Sequence, residues 1–173
     1  MESLKSIIEA LLFASETPVS AARIKEVLDD IDRSIIVNTL QEIVREYEER
    51  KGGFYLQEVA GGFQFRTNPD FSVWIKKLKG GKPPALSPAA METLAVVAYR
   101  QPVVKAEIDR VRGVDVSGPL RGLLEKKLVR MVGRKDVPGK PILYGTTKKF
   151  LETFNLKDLS ELPTLRELKE LQE

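Results

Sequence analysis

The stretch VVKAEIDRVRGVDVSGPLRGLLEKKLV, Val103 to Val129, decides the fold. A short amphipathic segment ends at Arg112-Gly113, a turn follows, and a second amphipathic segment leads into an apolar, strand-like run. Lys105 to Arg112 is expected to form a helix that Gly113 ends. Ser117-Gly118-Pro119 is expected to start the next one, with Leu120, Leu123, Leu124 and Leu128 facing inward. That is the outline of a helix-turn-helix, whose second helix reads DNA in many proteins. The run LVRMVGRKDVPGKPILYGTT that follows reads as a strand, a turn around Asp136 to Gly139, and a returning strand. Upstream, Ser87-Pro88 is a cap followed by proline at the first helical position, where a missing donor costs nothing. The helix it opens, AAMETLAVVAYR, is nearly all apolar and is expected to be buried on most sides; Phe150, Leu151 and Phe154 fit a closing helix.

The first half of the chain repeats this pattern. LKGGKPPALS, Leu78 to Ser87, carries two glycines and two prolines and reads as a linker. With Pro18 placed opposite Pro102, Ile7, Leu11 and Ala14 fall opposite Met91, Ala95 and Ala98, and Val19, Ile24 and Val27 opposite Val103, Ile108 and Val111. Met1 to Ala14 is expected to be helical, Ser20 to cap a short helix ending near Asp29, and Asp32 to cap a long one reaching Lys51. Along that third helix Ile36, Leu40, Ile43, Val44 and Tyr47 share one face. Gly52-Gly53 is expected to stop it. FYLQEVAGGFQFRT then alternates as two strands, with Gly61-Gly62 supplying the positive φ angles of the hairpin. Asn68-Pro69-Asp70 opens a last short helix in which Trp74 reads as a core anchor.

The expected fold class is therefore α+β, mainly helical: two tandem winged-helix domains, each of three helices plus a β-hairpin wing. The expected boundaries are 1–79 for the first, 80–86 for the linker and 87–154 for the second. The Leu/Glu-rich tail 155–173 reads either as a docking arm or as a frayed end.

Composition narrows the chemistry. The 173 residues are 42% hydrophobic and 31% charged, which is enough apolar material for a core. There is no Cys and no His, so thiolate nucleophiles, imidazole bases and the usual zinc ligands are excluded. KGGKPP lacks the spacing and the Ser/Thr of a phosphate loop. Asp29-Asp30-Ile31-Asp32 lacks the glycine and distal Glu of a calcium loop and reads as a solvated helix end. The expectation is no enzyme, with no catalytic residue, no metal and no cofactor. With no run of about 20 apolar residues, no membrane span is expected either, and the cytoplasm is the expected location.

Charge weighs the DNA reading. Residues 1–80 hold 11 Lys/Arg against 13 Asp/Glu, residues 81–150 hold 14 against 6, and residues 151–173 hold 3 against 6. Only the second half has the positive excess that phosphate contacts need. Its third helix has no Asn or Gln to read adenine, and Gly118, Pro119 and Gly122 occupy its entry. The DNA expected here is at most weak and nonspecific, with a winged-helix transcriptional regulator using the basic second half as the alternative function. Tyr99, Arg100 and Gln101 precede a turn, either as a helix-end cap or as part of a peptide-binding surface. GRKDVPGKP reads as a solvated wing or a contact surface. The first helix holds Leu4, Ile7, Ile8, Leu11 and Leu12, more apolar residues than one buried stripe needs, so these are the expected dimer-interface residues.

LSPAAMETLAVVAYRQPVVKAEIDRVRGV, LLEKKLV and GRKDVPGKPILYGTTKKFLETFNLKDLSELP together resemble the segregation and condensation protein B family, and IIEALLFASETPVS is similar to its N-terminal helix and turn. The resemblance covers Leu4 to Pro163, departing at VSGPL. It implies a non-enzymatic accessory subunit of a bacterial SMC–kleisin complex, with two tandem winged helices. It also implies a homodimer that binds the kleisin, segregation and condensation protein A, and reaches the SMC protein through it, supporting chromosome condensation and segregation at the nucleoid. Tyr99, Arg100, Gln101, Arg112, Arg121 and Arg134 are the expected partner-binding residues, the arginines pairing with kleisin carboxylates.

Overall fold

The structure, a computed structural model, describes residues 3–80, 85–164 and 167. It is mixed helix and strand, mainly helical, and divides into two compact units. One is Met1–Lys82 with Asn155–Glu161; the other is Pro83–Phe154 with Leu162–Glu173. The linker expected over 80–86 falls at 81–84 outside the described residues, as do residues 165, 166 and 168–173 of the tail.

The first unit contains α1 (Leu4–Phe13), α2 (Ala21–Val27), α3 (Arg33–Arg50), β1 (Phe54–Val59), β2 (Gly62–Thr67) and α4 (Ser72–Lys79). Ser20 caps α2 by accepting from the Arg23 amide at 3.2 Å. Asp32 occupies the cap position of α3 without making a side-chain cap bond, contrary to expectation. Ile8, Leu12, Ile24, Ile36, Leu40, Ile43 and Leu56 close the core, with Val44 and Tyr47 packed against it. Tyr47, Phe54 and Phe65 stack with centroids 5.0–5.7 Å apart, which folds β1 back onto the end of α3.

Two expected glycine roles are corrected. Lys51, at φ 48°, takes the left-handed position that ends α3, not Gly52-Gly53. In the hairpin, Ala60 (φ 52°) and Gly61 (φ 73°) carry the positive φ angles. Gly62 serves another purpose. A Cβ there would lie 2.8 Å from the Val19 carbonyl carbon, because the backbone of β2 passes against the segment before α2. The close approach allows Val19 and Phe63 to exchange two hydrogen bonds, both 2.9 Å. The positive-φ turn exposes two amides, and these are satisfied by the tail: Ala60 and Gly61 donate to the Leu156 and Lys157 carbonyls at 2.9 and 3.0 Å. Residues 155–161 are thus a docked arm of this unit.

The second unit contains α5 (Pro88–Arg100), β3 (Val103–Val104), α6 (Lys105–Arg112), α7 (Ser117–Glu125), β4 (Val129–Arg134), β5 (Ile142–Thr146) and α8 (Lys148–Phe154). Its antiparallel sheet has the order β3-β5-β4, with a register shift between Met131 and Gly133. Ser87 caps α5, accepting from the Ala90 amide at 3.3 Å, and Gly113 (φ 69°) ends α6. Contrary to expectation α5 buries one face only, with Thr93, Leu94, Val97 and Ala98; α6, α7 and β5 all pack on that side.

The repeat survives with amendments. Val103 pairs with Tyr144 as Val19 pairs with Phe63, and Ile24 and Ile108 are both buried. Val27 and Val111, expected inside, are about half exposed because each lies in the last turn of a short helix, beyond the core. In the first helices the buried residues are Ile8 and Leu12 against Leu94 and Ala98, so Ile7, Leu11 and Ala14 are not the core stripe.

Candidate partner-docking surfaces

The helix-turn-helix of the second unit is held by one carboxylate. Asp109, on α6, accepts from the Val116 amide at 2.9 Å, pinning the start of α7 to α6. Val116 is 1% exposed, so without Asp109 that donor has no water to turn to. Lys105 donates to Asp109 at 2.8 Å and also to Asp115, and Asp115 in turn accepts from the Ser117 hydroxyl at 2.8 Å. The ammonium of Lys105 holds both carboxyls below their ordinary range, and the two carboxylates raise Lys105. These charges are spent within the turn.

What remains outward on α7 is modest in charge. Arg121, with its side chain 82% exposed, pairs with Glu125 at 3.0 Å, one turn along. Gly118 and Gly122 lie beside it with open space where a Cβ would stand, so a partner can approach the α7 backbone. Within α7 a phosphate backbone meets one cation already balanced by its neighbour, with Lys126 and Lys127 exposed just past the helix end, which supplies charge without a base-reading side chain. The hairpin adds exposed cations and exposed apolar side chains together: Arg130, Arg134 and Lys140 with Met131 and Val132. Lys135 pairs with Glu107 at 2.6 Å, and holds that carboxyl below its ordinary value. Apolar side chains interleaved with cations suit a protein segment bearing carboxylates.

The expected partner-binding residues separate into two groups. Arg100, Arg121 and Arg134 are exposed, Arg134 donating to the Lys140 carbonyl at 3.0 Å across the wing turn. Tyr99 is 41% exposed, and its hydroxyl is engaged by the chain's own Pro163 carbonyl at 2.7 Å. Gln101 and Arg112 are engaged within the unit. The Gln101 carboxamide accepts from the Thr146 amide and hydroxyl, at 2.7 and 3.0 Å, and donates to the Ala98 carbonyl, so most of its bonding capacity ties α5 to β5. Arg112 has a side chain only 18% exposed and is ion-paired with Glu92 on α5.

In the first unit Ile8 and Leu12, at 0% and 2% exposure, lie in the core. Leu4, Ile7 and Leu11 are half-buried, and line two shallow clefts along the outer side of α1. Trp74, expected as a core anchor, is corrected: it is 63% exposed on α4. A lone Trp in an eight-residue amphipathic segment gives no sign of whether its apolar face has a partner. Among the described residues no group of three or more acidic side chains is placed to hold a metal ion, and no helix is long and apolar enough to cross a membrane.

The family described as segregation and condensation complex subunit ScpB matches residues 6–165. The chain belongs to that family. It is 49% identical over 168 residues to segregation and condensation protein B of Syntrophotalea carbinolica, covering 97% of this chain and 85% of the relative. It is 46% identical over 172 residues to the segregation and condensation protein B homolog of Coxiella burnetii, covering 97% and 81%. The crystal structure of ScpB from Mycobacterium tuberculosis aligns at 35% identity over 88% of this chain and 95% of that one, with a TM-score of 0.41, an overlap too loose to carry an argument.

Proposed function

We propose that this chain is a non-enzymatic accessory subunit of a bacterial SMC–kleisin complex. In this reading the two units are tandem winged helices, 1–79 serving dimerisation and 87–154 docking segregation and condensation protein A. The SMC protein is reached through that kleisin, and the complex works on chromosome condensation and segregation at the nucleoid. The carrying observation is the family match along residues 6–165, which takes in both units. The character of the second unit's surface supports it: exposed Arg121, Arg134, Met131 and Val132 offer cations and apolar contacts side by side. A few buried anchors would carry the affinity, while the charges set on-rate and choice of partner.

The test is a pull-down of the kleisin from the native cell with Arg121→Glu/Arg134→Glu as the comparison. Both side chains are exposed, so the fold tolerates the change and kleisin recovery falls. Arg112→Glu is unsuitable, because it sets a carboxylate against Glu92 in a largely covered position and tests folding instead. The regulator reading keeps one observation in its favour, the 14 Lys/Arg against 6 Asp/Glu of residues 81–150. Normal kleisin recovery by the double variant, with loss of affinity for one duplex sequence, would select it.

A further inference from the structure

Four cations of the second unit gather at the end of its sheet opposite the wing turn. Lys126 and Lys127 follow α7 and lead into β4, where Arg130 is the second residue; Lys148 opens α8 just after β5. Thr147 ties the two connections together, its hydroxyl donating to the Lys127 carbonyl at 2.6 Å. Beside it Val129 pairs with Thr146, and Arg130 donates to the Thr146 carbonyl at 3.4 Å. All four residues are exposed, and among the described residues none of them joins an ion pair. The carboxylates nearest in sequence are engaged elsewhere: Glu125 pairs with Arg121 at 3.0 Å and Glu152 with Lys149 at 3.1 Å.

This cluster differs in chemistry from the wing. There Met131 and Val132 lie exposed among the cations, whereas no large exposed apolar side chain falls within residues 120–130 or 142–154. A protein segment would find charge at the cluster but no anchor, and buried anchors carry the affinity of protein contacts. A phosphate backbone needs the charge alone. Three of the four cations are lysines, which meet phosphate as flexible point charges and lack the planar fork that reads a guanine edge. The 14 Lys/Arg against 6 Asp/Glu of residues 81–150 add a long-range attraction for a polyanion.

We propose that Lys126, Lys127, Arg130 and Lys148 form a site for the phosphate backbone of double-stranded DNA, bound without regard to sequence. A duplex carries one negative charge per about 1.7 Å of its axis, so side chains from two adjoining connections meet several phosphates at once. The site needs no helix in the major groove, and the lack of an adenine-reading amide on α7 does not weaken it. It is separate from the kleisin reading, which rests on the exposed apolar and cationic side chains of the wing, and from the regulator reading, which requires one preferred sequence.

The experiment is fluorescence anisotropy of the full-length chain with labelled duplexes of several unrelated sequences, over a series of salt concentrations, with kleisin binding measured on the same samples. Four phosphate contacts predict that log K falls with log salt at a slope of roughly −3.6. Lys126→Gln/Lys127→Gln/Lys148→Gln should weaken binding about tenfold or more at low salt and bring the slope to roughly −1, with kleisin binding unchanged. Lys126→Arg/Lys127→Arg/Lys148→Arg keeps the charges and should keep the slope, which separates lost charge from lost structure. Lys148→Gln alone should lower the slope by about one, and Arg110→Gln, an exposed cation of α6 outside the cluster, should leave it unaltered. No duplex binding by the parent chain overturns the proposal, as does a triple Gln variant that binds like the parent or an Arg variant that fails like the Gln one. An equal loss in Arg110→Gln overturns it in favour of charge spread over the whole unit. A strong preference for one duplex overturns it and selects the regulator reading. Kleisin binding lost with duplex binding kept overturns it and assigns the cluster to the protein partner.

Discussion

Gln101→Ala offers a direct test of whether that side chain is a structural tie or a contact. Three hydrogen bonds disappear, to the Thr146 amide, the Thr146 hydroxyl and the Ala98 carbonyl. Thr146 is 8% exposed, so its amide is left without a partner. An orphaned buried donor costs roughly 1–3 kcal/mol, and we take about 2 kcal/mol as the loss. For a unit of this size that lowers its melting temperature by roughly 10 °C. The units can be watched separately: the one tryptophan, Trp74, reports on the first unit, and far-UV circular dichroism on both. The expected result is an early dichroism transition, with tryptophan fluorescence unmoved and the Thr146 amide losing protection from hydrogen exchange. Unchanged stability, within about 0.5 kcal/mol, together with lost kleisin binding would refute the reasoning and return Gln101 to the docking surface.

Gly62→Ala should destabilise the first unit by about 1–3 kcal/mol in urea titration, since its Cβ meets the Val19 backbone and the strand must move. Gly122→Ala should instead stabilise the second unit, by up to about 1 kcal/mol, because the site is open and helical; reduced kleisin affinity in that more stable variant would mark α7 as contact surface. The depressed carboxyls of Asp109 and Asp115 contribute stability that is fully present above the ordinary carboxylate range. That stability is lost as pH falls through their lower folded values. Acid titration of the second unit should therefore begin to unfold it below about pH 4, and Asp109→Asn/Asp115→Asn should flatten the dependence there.

Periodicity and punctuation made much of the fold legible. Gly113 ended α6, Ser20 and Ser87 capped α2 and α5, and the Pro-Val pairs at 18–19 and 102–103 marked the segments that join the hairpins. What escaped depends on contacts distant in sequence. Gly62 looks like half of a turn dipeptide until Val19 is known to lie against it. Lys51 ends α3 because the Tyr47–Phe54–Phe65 cluster fixes where the chain must go next. For the surfaces, residue type alone could not tell an exposed arginine from a covered one. Arg121 and Arg112 read alike in sequence, yet Arg112 lies against Glu92 on α5 and Arg121 faces outward. Apolar excess in α1 was visible, but not which residues it comprised: Ile8 and Leu12 fill the core, and Ile7 remains outside it.

The central claim is that this chain docks a kleisin through its second unit. Isothermal titration of the full-length chain with segregation and condensation protein A from the same cell tests it most directly. The account predicts saturable binding that Arg121→Glu/Arg134→Glu weakens and Gln101→Ala leaves intact below its melting temperature. No binding by the unaltered chain, or equal binding by the charge-reversed one, would contradict it.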